Sequence, residues 1–260
     1  MSEHVREQTS AGVRTLTLDR PEKKNALTQA MYAALAGAVD RAGRDPAVAV
    51  LRFRGEGGDF TAGNDLQDFR AISESDEAPA ITELAVFEFL HAVVDCPLPM
   101  VAEVTGSAIG IGTTLLLHCD AVVASTDTTF ALPFVPLGLV PEFASTALLP
   151  ELVGPQRAAR LLLLGDRFDA REGEALGLVS QVCEPAAVAA VADAWCRRIA
   201  TLPREAVAET RALLRSPAQR ARLHDVIDRE ARTFARRLRS EEHRQALAAF
   251  LGESSGGGRT

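Results

Sequence analysis

Two glycine-containing turns carry the residue types that could bind and activate a carbonyl group. The first spans residues 60–66, with the sequence FTAGNDL, and the second spans residues 105–112, with the sequence TGSAIGIG. Small residues let a ligand approach the backbone, and a helix N-terminus presents unpaired N–H groups at the positive end of its dipole. Two such turns facing each other would direct two N–H donors at one oxygen, which is the geometry of an oxyanion hole.

Each turn taken alone is equally consistent with an ordinary tight turn. The glycines of the second turn lie at 106, 110 and 112, which is not the GxGxxG spacing of a dinucleotide-binding loop. No Gly-Lys-Ser/Thr sequence follows, so the turn is not a P-loop either.

Five motifs, taken in order, resemble the crotonase (enoyl-CoA hydratase/isomerase) superfamily. They are RPEKKNAL at 20–27, FTAGNDL at 60–66, GSAIGIG at 106–112, HCDAVVAS at 118–125 and LPFVPLGLVPE at 132–142. Ordered motifs at family spacing are a more specific signal than either turn alone. The resemblance runs from the first strand to about Leu178. It implies an α/β fold built as a spiral of ββα turns, with C-terminal helices that join subunits into trimers or pairs of trimers.

The resemblance also implies roles for individual residues. The backbone N–H groups of Asn64 and Ile111 should form the oxyanion hole for a thioester oxygen. The residues expected to bind coenzyme A are Lys23, Lys24, Ala62, Asn64, Asp65, Leu66 and Gly110. Cationic side chains are usual partners of phosphates, although two exposed lysines are also typical of a solvated surface turn. Coenzyme A would enter as part of the substrate, and we expect no separate cofactor and no metal site, since no HExxH or similar cluster is present.

The sequence departs from the hydratases of this superfamily, which use two glutamates to activate one water molecule. The first of these positions holds Thr114, and the second, after Pro133, holds Phe134. Neither side chain can take a proton from water at neutral pH. A different carboxylate, Glu142, stands in a Pro-Glu dipeptide similar to that of the peroxisomal-type 3-enoyl-CoA isomerases. The alternative for Glu142 is a carboxylate at the start of a helix, where the dipole favours negative charge.

One carboxylate is enough for an allylic double-bond shift. The oxyanion hole would make the α-proton of a 3-enoyl thioester more acidic, and Glu142 would remove this proton from C2 and return it at C4. An apolar pocket should raise the pKa of Glu142 and so suit reversible proton transfer near neutrality. The expected acyl pocket, which plain core packing would explain equally well, consists of Phe134, Leu137, Leu139 and Phe143.

Other polar residues in the motifs are weaker candidates. Asp65 and Asp120 fit turn or cap carboxylates with a structural role. His118 is predicted to pack at a helix end. Glu103 lies in a predicted strand, and the sequence assigns it no role.

Composition limits the class of protein. The 260 residues are 47% hydrophobic and 24% charged, which suits a soluble globular chain with a sizeable core. The net charge of -7 argues against a nucleic-acid surface, and no apolar run reaches the ~18 residues of a membrane span. Four cysteines without a CxxC pair indicate reduced thiols, and the polar N-terminal segment and the absence of a C-terminal SKL favour a cytoplasmic location.

Periodicity and turn signals predict the elements that must position these residues. Strands are expected at 13–18, as an edge strand, and at 48–53, 100–104 and 120–124. Helices are expected at 28–44, 81–94, 111–118, 156–164, 170–176, 186–200, 204–214 and 217–239. Strands in the first two thirds and helices in the last third predict a catalytic core at 1–195. They also predict a helical region at 196–260 that holds the subunits of a homotrimer or homohexamer together and ends in a disordered tail near 253–260. A surface loop is expected within the core, at 71–79.

Three functions are consistent with these features. The chain is predicted to be an enoyl-CoA isomerase, a crotonase enzyme of another reaction (hydration, ring-forming isomerisation or thioester hydrolysis), or an acyl-CoA-binding protein without turnover. One fold can host many chemistries, so the motifs do not decide between the first two. Glu142 argues against the third, because a protein that only binds has no need of it.

Overall fold

A six-stranded sheet forms the centre of the molecule in a computed structural model that describes residues 2–68, 70 and 84–256. Its strands lie in the order β1-β2-β3-β4-β6-β9. The strands are β1 Val5–Ser10, β2 Val13–Leu18, β3 Val50–Gly55, β4 Met100–Val104, β6 Ala121–Ser125 and β9 Gln181–Cys183. The first pair is an antiparallel hairpin and all later neighbours are parallel, so the turns that follow β3 and β4 leave the same edge of the sheet.

A smaller sheet stands beside this edge. It pairs β5 Ser107–Ile109 with β7 Thr129–Ala131 in parallel, and β7 with β8 Phe168–Asp169 in antiparallel. An isolated bridge joins Thr61 to Ala108 in β5. The small sheet therefore connects the two glycine-containing turns directly.

Helices cover the sheets and fill the C-terminal third. They are α1 Gln29–Arg44, α2 Ala85–Asp95, α3 Ile111–Thr114, α4 Ser145–Val153, α5 Pro155–Leu164, α6 Ala170–Ala175, α7 Pro185–Ala200, α8 Arg204–Leu214, α9 Pro217–Leu238 and α10 Glu241–Gly256. Short 3₁₀ turns at Pro21–Lys23 and Leu115–His118 complete the described elements. None of the described helices is both long enough and apolar enough to cross a membrane.

Local sequence signals explain where several helices begin. Thr28 caps α1 by accepting a hydrogen bond from the N–H of Met31, as its sequence position predicts. Ser216 and Gln219 form a capping box at the start of α9, with Pro217 at its first position. The predicted mixed α/β architecture is confirmed by these elements.

Three expectations about organisation need correction. The edge strand of the large sheet is β1, not 13–18, because the polar and mostly exposed sequence of Val5–Ser10 carries no apolar alternation to reveal it. The expected boundary at 195/196 falls inside the continuous helix α7, and α9 packs back against α2 and α4. The tail expected to be disordered from 253 is helical through Gly256, whereas 257–260 and the predicted loop at 71–79 lie outside the described residues.

Candidate active site

The two glycine-containing turns lie side by side because they follow neighbouring parallel strands, β3 and β4. Thr61 and β5 exchange backbone hydrogen bonds: the Thr61 N–H donates to Ser107 O at 2.8 Å, and the Ile109 N–H donates to Thr61 O at 3.0 Å. Glycine makes this approach possible. A Cβ atom at Gly63, whose φ is +94°, would lie 2.9 Å from Ile109 O, and one at Gly112 would lie 2.5 Å from Thr61 Cγ2.

The backbone N–H groups of Asn64 and Ile111 are among those at this junction that have no acceptor among the described residues. Asn64 is held on both sides, since the Leu27 N–H donates to Gly63 O at 2.8 Å and the Asp65 N–H donates to Leu27 O at 2.9 Å. Ile111 is the first residue of α3, where an N–H has no partner within the helix. The two free donors are therefore fixed by backbone pairing, as an oxyanion hole requires.

A cavity of about 430 Å³ borders this junction, and most of the site residues expected from the sequence line its wall. The expected coenzyme A residues at its wall are Lys23, Ala62, Asn64, Asp65, Leu66 and Gly110. The expected acyl-pocket residues at its wall are Phe134, Leu137 and Leu139. The side chain of Lys24 does not border the cavity, although its carbonyl accepts a hydrogen bond from the Ala62 N–H at 2.8 Å.

Asp65 is an ion-paired carboxylate, not a free base. It accepts a hydrogen bond from Arg20 Nη1 at 2.6 Å and another from the Gln67 N–H at 2.9 Å. Burial alone would raise the pKa of Asp65, but these partners outweigh it and leave the pKa below its ordinary value. Asp65 therefore fixes the turn and has no reason to take a proton.

Glu142 is the buried carboxyl group of the site. Its side chain is 5% exposed, its Oε1 accepts a hydrogen bond from Thr114 Oγ1 at 2.6 Å, and its Oε2 has no partner among the described residues. Burial raises the pKa of Glu142 to about 8, with the hydrogen bond from Thr114 opposing the rise and the charge of Glu230 adding to it. A carboxyl group poised near neutrality can both accept and donate a proton.

Glu142 and Asn64 face the same space. Both border a narrow apolar cavity of about 10 Å³, which shares Asn64 and Phe234 with the large cavity. The helix-start alternative for Glu142 is wrong, because α4 begins at Ser145 and its first turn contains no acidic residue. The loop therefore places Glu142 at the cavity that it shares with Asn64.

The backbone after Glu142 is strained. Phe143 and Ala144 both adopt left-handed conformations, with φ of 61° and 55°, although neither is glycine. Such positions cost about 1–3 kcal/mol each and persist only where the surroundings hold them. Two of the contacts that do so come from Ser145 Oγ, which donates to Glu142 O at 2.6 Å, and from His118 Nε2, which donates to Phe143 O at 2.9 Å.

The expectation that Phe143 lines the acyl pocket is wrong. Its ring is fully buried, borders neither cavity and stacks on His118 at a centroid distance of 4.0 Å. Burial lowers the pKa of His118 to about 3, so the imidazole is neutral and donates to the carbonyl of Phe143. His118 thus packs at a helix end, as the sequence indicates, and supports the loop.

Sequence reasoning missed several residues of the site because they are distant along the chain and carry no motif. The hydroxyl of Tyr32, the only tyrosine, donates to Asn64 Oδ1 at 2.5 Å from within α1. Burial, and then the charge of Glu142, raise the pKa of Tyr32 well above its ordinary value, so the phenol remains a donor. Phe234 and Phe250, from the C-terminal helices, and Arg167 also line the cavity.

The comparisons with known proteins agree with this geometry. Residues 8–255 match the Enoyl-CoA hydratase/isomerase family model, so the fold is that of a crotonase-type enzyme. The solved structure of Pseudomonas aeruginosa OdaA superposes with a TM-score of 0.90 at 41% identity, covering 96% of this chain and 99% of that one.

Curated relatives fall into more than one activity. Rat enoyl-CoA delta isomerase 2 is 36% identical over 94% of this chain, which spans 62% of the rat protein. The probable enoyl-CoA hydratase EchA17 of Mycobacterium tuberculosis is 37% identical over 78% of this chain and 76% of its own length. The chain belongs to the enoyl-CoA hydratase/isomerase family and is an enzyme of that family.

Proposed function

We propose that this enzyme converts a 3-enoyl-CoA into the 2-enoyl-CoA, with Glu142 as its single acid and base. The observation that carries the proposal is the buried Glu142 carboxyl, whose Oε2 has no partner among the described residues and which shares a cavity with Asn64. Oxyanion donors alone would serve any thioester reaction of the family. A lone carboxyl group beside them suits a reaction in which one proton leaves and returns.

The reaction follows from these positions. The thioester oxygen accepts hydrogen bonds from the N–H groups of Asn64 and Ile111, which lowers the pKa of the C2 protons. Glu142 Oε2 removes a C2 proton, the C–H electron pair forms a C1–C2 double bond as the carbonyl π pair moves to the thioester oxygen, and the C3–C4 double bond is conjugated with it in the resulting dienolate. Collapse of the dienolate takes the proton back from Glu142 at C4 and leaves the double bond between C2 and C3.

The residues at the two hydratase positions support a single-base reaction. Thr114 is fully buried and uses its hydroxyl to donate to Glu142, so it cannot hold a water molecule as a carboxylate would. Phe134 is 5% exposed and forms part of the apolar wall. Activation of water would need a second carboxylate, and Asp65, the acidic residue among the described ones at the wall of the large cavity, is paired with Arg20.

Substrate binding is proposed through the expected residues at the turns. Lys23 borders the cavity, and neither Lys23 nor Lys24 has an ion-pair partner among the described residues, so both are free to meet phosphates. Coenzyme A would be present only as part of the substrate thioester. A homotrimer or homohexamer and a cytoplasmic location complete the proposal.

Hydration of a 2-enoyl-CoA is the competing function, favoured by the identity to the hydratase of Mycobacterium tuberculosis. A panel of 2-enoyl-CoA and 3-enoyl-CoA thioesters, followed by absorbance of the conjugated product and by mass, separates the two. The proposal predicts conversion of the 3-enoyl-CoA without a change in mass. A gain of one water as the faster reaction would replace it with hydration, and no conversion of any thioester would leave only binding.

A further inference from the structure

Glu230, on the C-terminal helix α9, is bound to the loop that carries Glu142. Its Oε2 accepts a hydrogen bond from the Ala144 N–H at 2.7 Å, from a position 86 residues along the chain. Its Oε1 accepts from the Thr146 N–H at 3.1 Å and from Thr146 Oγ1 at 2.5 Å. Glu230 is 7% exposed, so these three donors are the environment of a buried carboxylate.

The loop needs this partner because it cannot cap its own helix. The N-cap of α4 is Ala144, which has no side-chain acceptor and is itself left-handed. The first N–H groups of a helix have no partner within it, and a Ser, Thr, Asp or Asn at the N-cap would normally accept from them. Glu230 supplies the missing acceptor from a different helix and does so at the second left-handed residue after Glu142.

We infer that Glu230 is a positioning residue, which holds the Phe143–Ala144 backbone left-handed and thereby keeps the Glu142 carboxyl directed at the cavity it shares with Asn64. The inference rests on the proposed function, because it takes Glu142 as the base. Glu230 borders neither of the two cavities at which Glu142 and Asn64 lie, so it acts only through the loop.

The electrostatic interaction between Glu230 and Glu142 makes this role measurable through the pKa of Glu142. Burial raises the pKa of Glu230 above its ordinary value, the three hydrogen bonds that it accepts from Ala144 and Thr146 oppose this rise, and its charge raises the pKa of Glu142. Arg229 and Arg222 border the same outer groove as Glu230, while Tyr32 and Thr114 face Glu142 and remain protonated donors. Removing the charge of Glu230 should therefore lower the pKa of Glu142.

The test compares Glu230→Gln with Glu230→Asp and with Glu103→Gln, a buried glutamate that pairs with Arg52 in the large sheet. For folded Glu230→Gln, turnover of a 3-enoyl-CoA should fall about 10- to 100-fold, as expected for a misplaced reacting group, with KM changed less than about threefold. The pH midpoint of kcat/KM should move to lower pH. Glu230→Asp should also lose turnover but keep the midpoint near that of the parent, because it keeps the charge.

Glu103→Gln should lower the melting temperature while leaving kcat per folded enzyme and the pH midpoint unchanged. If Glu230→Gln behaves in the same way, or if it is insoluble and Glu230→Asp keeps the parent turnover, the positioning role is wrong. A failure of the proposed function would be seen separately, as undiminished turnover by Glu142→Gln.

Discussion

The two halves of the candidate site, the oxyanion turns at 60–66 and 105–112 and the loop around Glu142, are held in place by different kinds of structure. The turns present main-chain donors, and neighbouring parallel strands, a backbone bridge and glycines fix them locally. The loop presents a side chain, and its two left-handed non-glycine residues depend on Glu230 and His118 from elsewhere in the chain. Binding of the thioester oxygen should therefore tolerate side-chain changes that abolish proton transfer.

Glu142→Gln should separate the two halves most strongly. Turnover of a 3-enoyl-CoA should fall about 10³- to 10⁴-fold, at the upper end for general acid–base catalysis, because no second carboxyl group can substitute. Affinity for a saturated acyl-CoA, measured by calorimetry, should change less than about threefold, since the donors are main chain. Loss of turnover and binding together would make Glu142 structural.

Glu142→Gln should also change how the stability of the fold depends on pH. The pKa of Glu142 rises from an ordinary 4.5 to about 8 on folding, so its protonated form stabilises the fold at low pH. This stability is lost as pH rises from about 4.5 through about 8, whereas glutamine does not titrate. The melting temperature of Glu142→Gln relative to the parent should thus increase with pH over this range, and a constant difference would contradict the raised pKa.

Thr114→Val tests the half of the site that carries the base, Glu142. The hydrogen bond from Thr114 lowers the pKa of Glu142, so its removal should move the midpoint of kcat/KM from near pH 8 to higher pH. Hydrogen bonds to charged groups contribute about 1.5–3 kcal/mol, which corresponds to roughly a 10- to 150-fold loss at pH 7. Thr128→Val, a buried threonine that donates to Val104 O in the sheet, is the matched control and should leave the midpoint unchanged. An unshifted midpoint in Thr114→Val would show that the hydroxyl does not act on Glu142.

Tyr32→Phe tests the half of the site that is fixed by the backbone. The phenol donates to the side chain of Asn64, while backbone pairs with Leu27 hold the N–H that we assign to the oxyanion hole. One hydrogen bond between neutral groups contributes about 0.5–1.5 kcal/mol, so we expect a loss in kcat of about 3- to 10-fold. A loss as large as that of Glu142→Gln would mean that the tyrosine takes part in proton transfer.

The smallest effect is expected from the binding surface. Lys23→Ala combined with Lys24→Ala should weaken coenzyme A binding several-fold, and the parent's affinity should fall as salt is raised. Arg198→Ala, an exposed cation on α7 away from the cavity, is the control and should leave both unchanged. Unchanged affinity in the lysine variant would place the phosphates elsewhere.

The oligomeric state is a separate prediction, which concerns the whole chain and not one half of the site. We expect a trimer or hexamer held mainly by helices beyond Leu178. Light scattering at micromolar concentration measures this directly, and a stable monomer would contradict it.

The difference between the halves also explains what the sequence could predict. The turns, α1 with its Thr28 cap and the buried strands could be located because local residue types determine them. Glu142 was recognisable from a dipeptide, but its supports were not: Tyr32 and Glu230 come from helices whose packing depends on the whole fold. Phe143 was misassigned for the same reason, since an apolar side chain in a loop gives no signal of which way a left-handed backbone turns it.

The most direct test of a single acid/base follows the proton itself. A 3-enoyl-CoA carrying two deuterium atoms at C2 would be converted in ordinary water, and the product would be examined by mass and NMR at early turnover. Glu142 is buried and borders a narrow apolar cavity, and its Oε2 has no partner among the described residues, so we predict that a substantial share of the deuterium removed from C2 appears at C4. A product that carries only solvent hydrogen at C4 from the first turnovers would contradict transfer by one shielded carboxyl group.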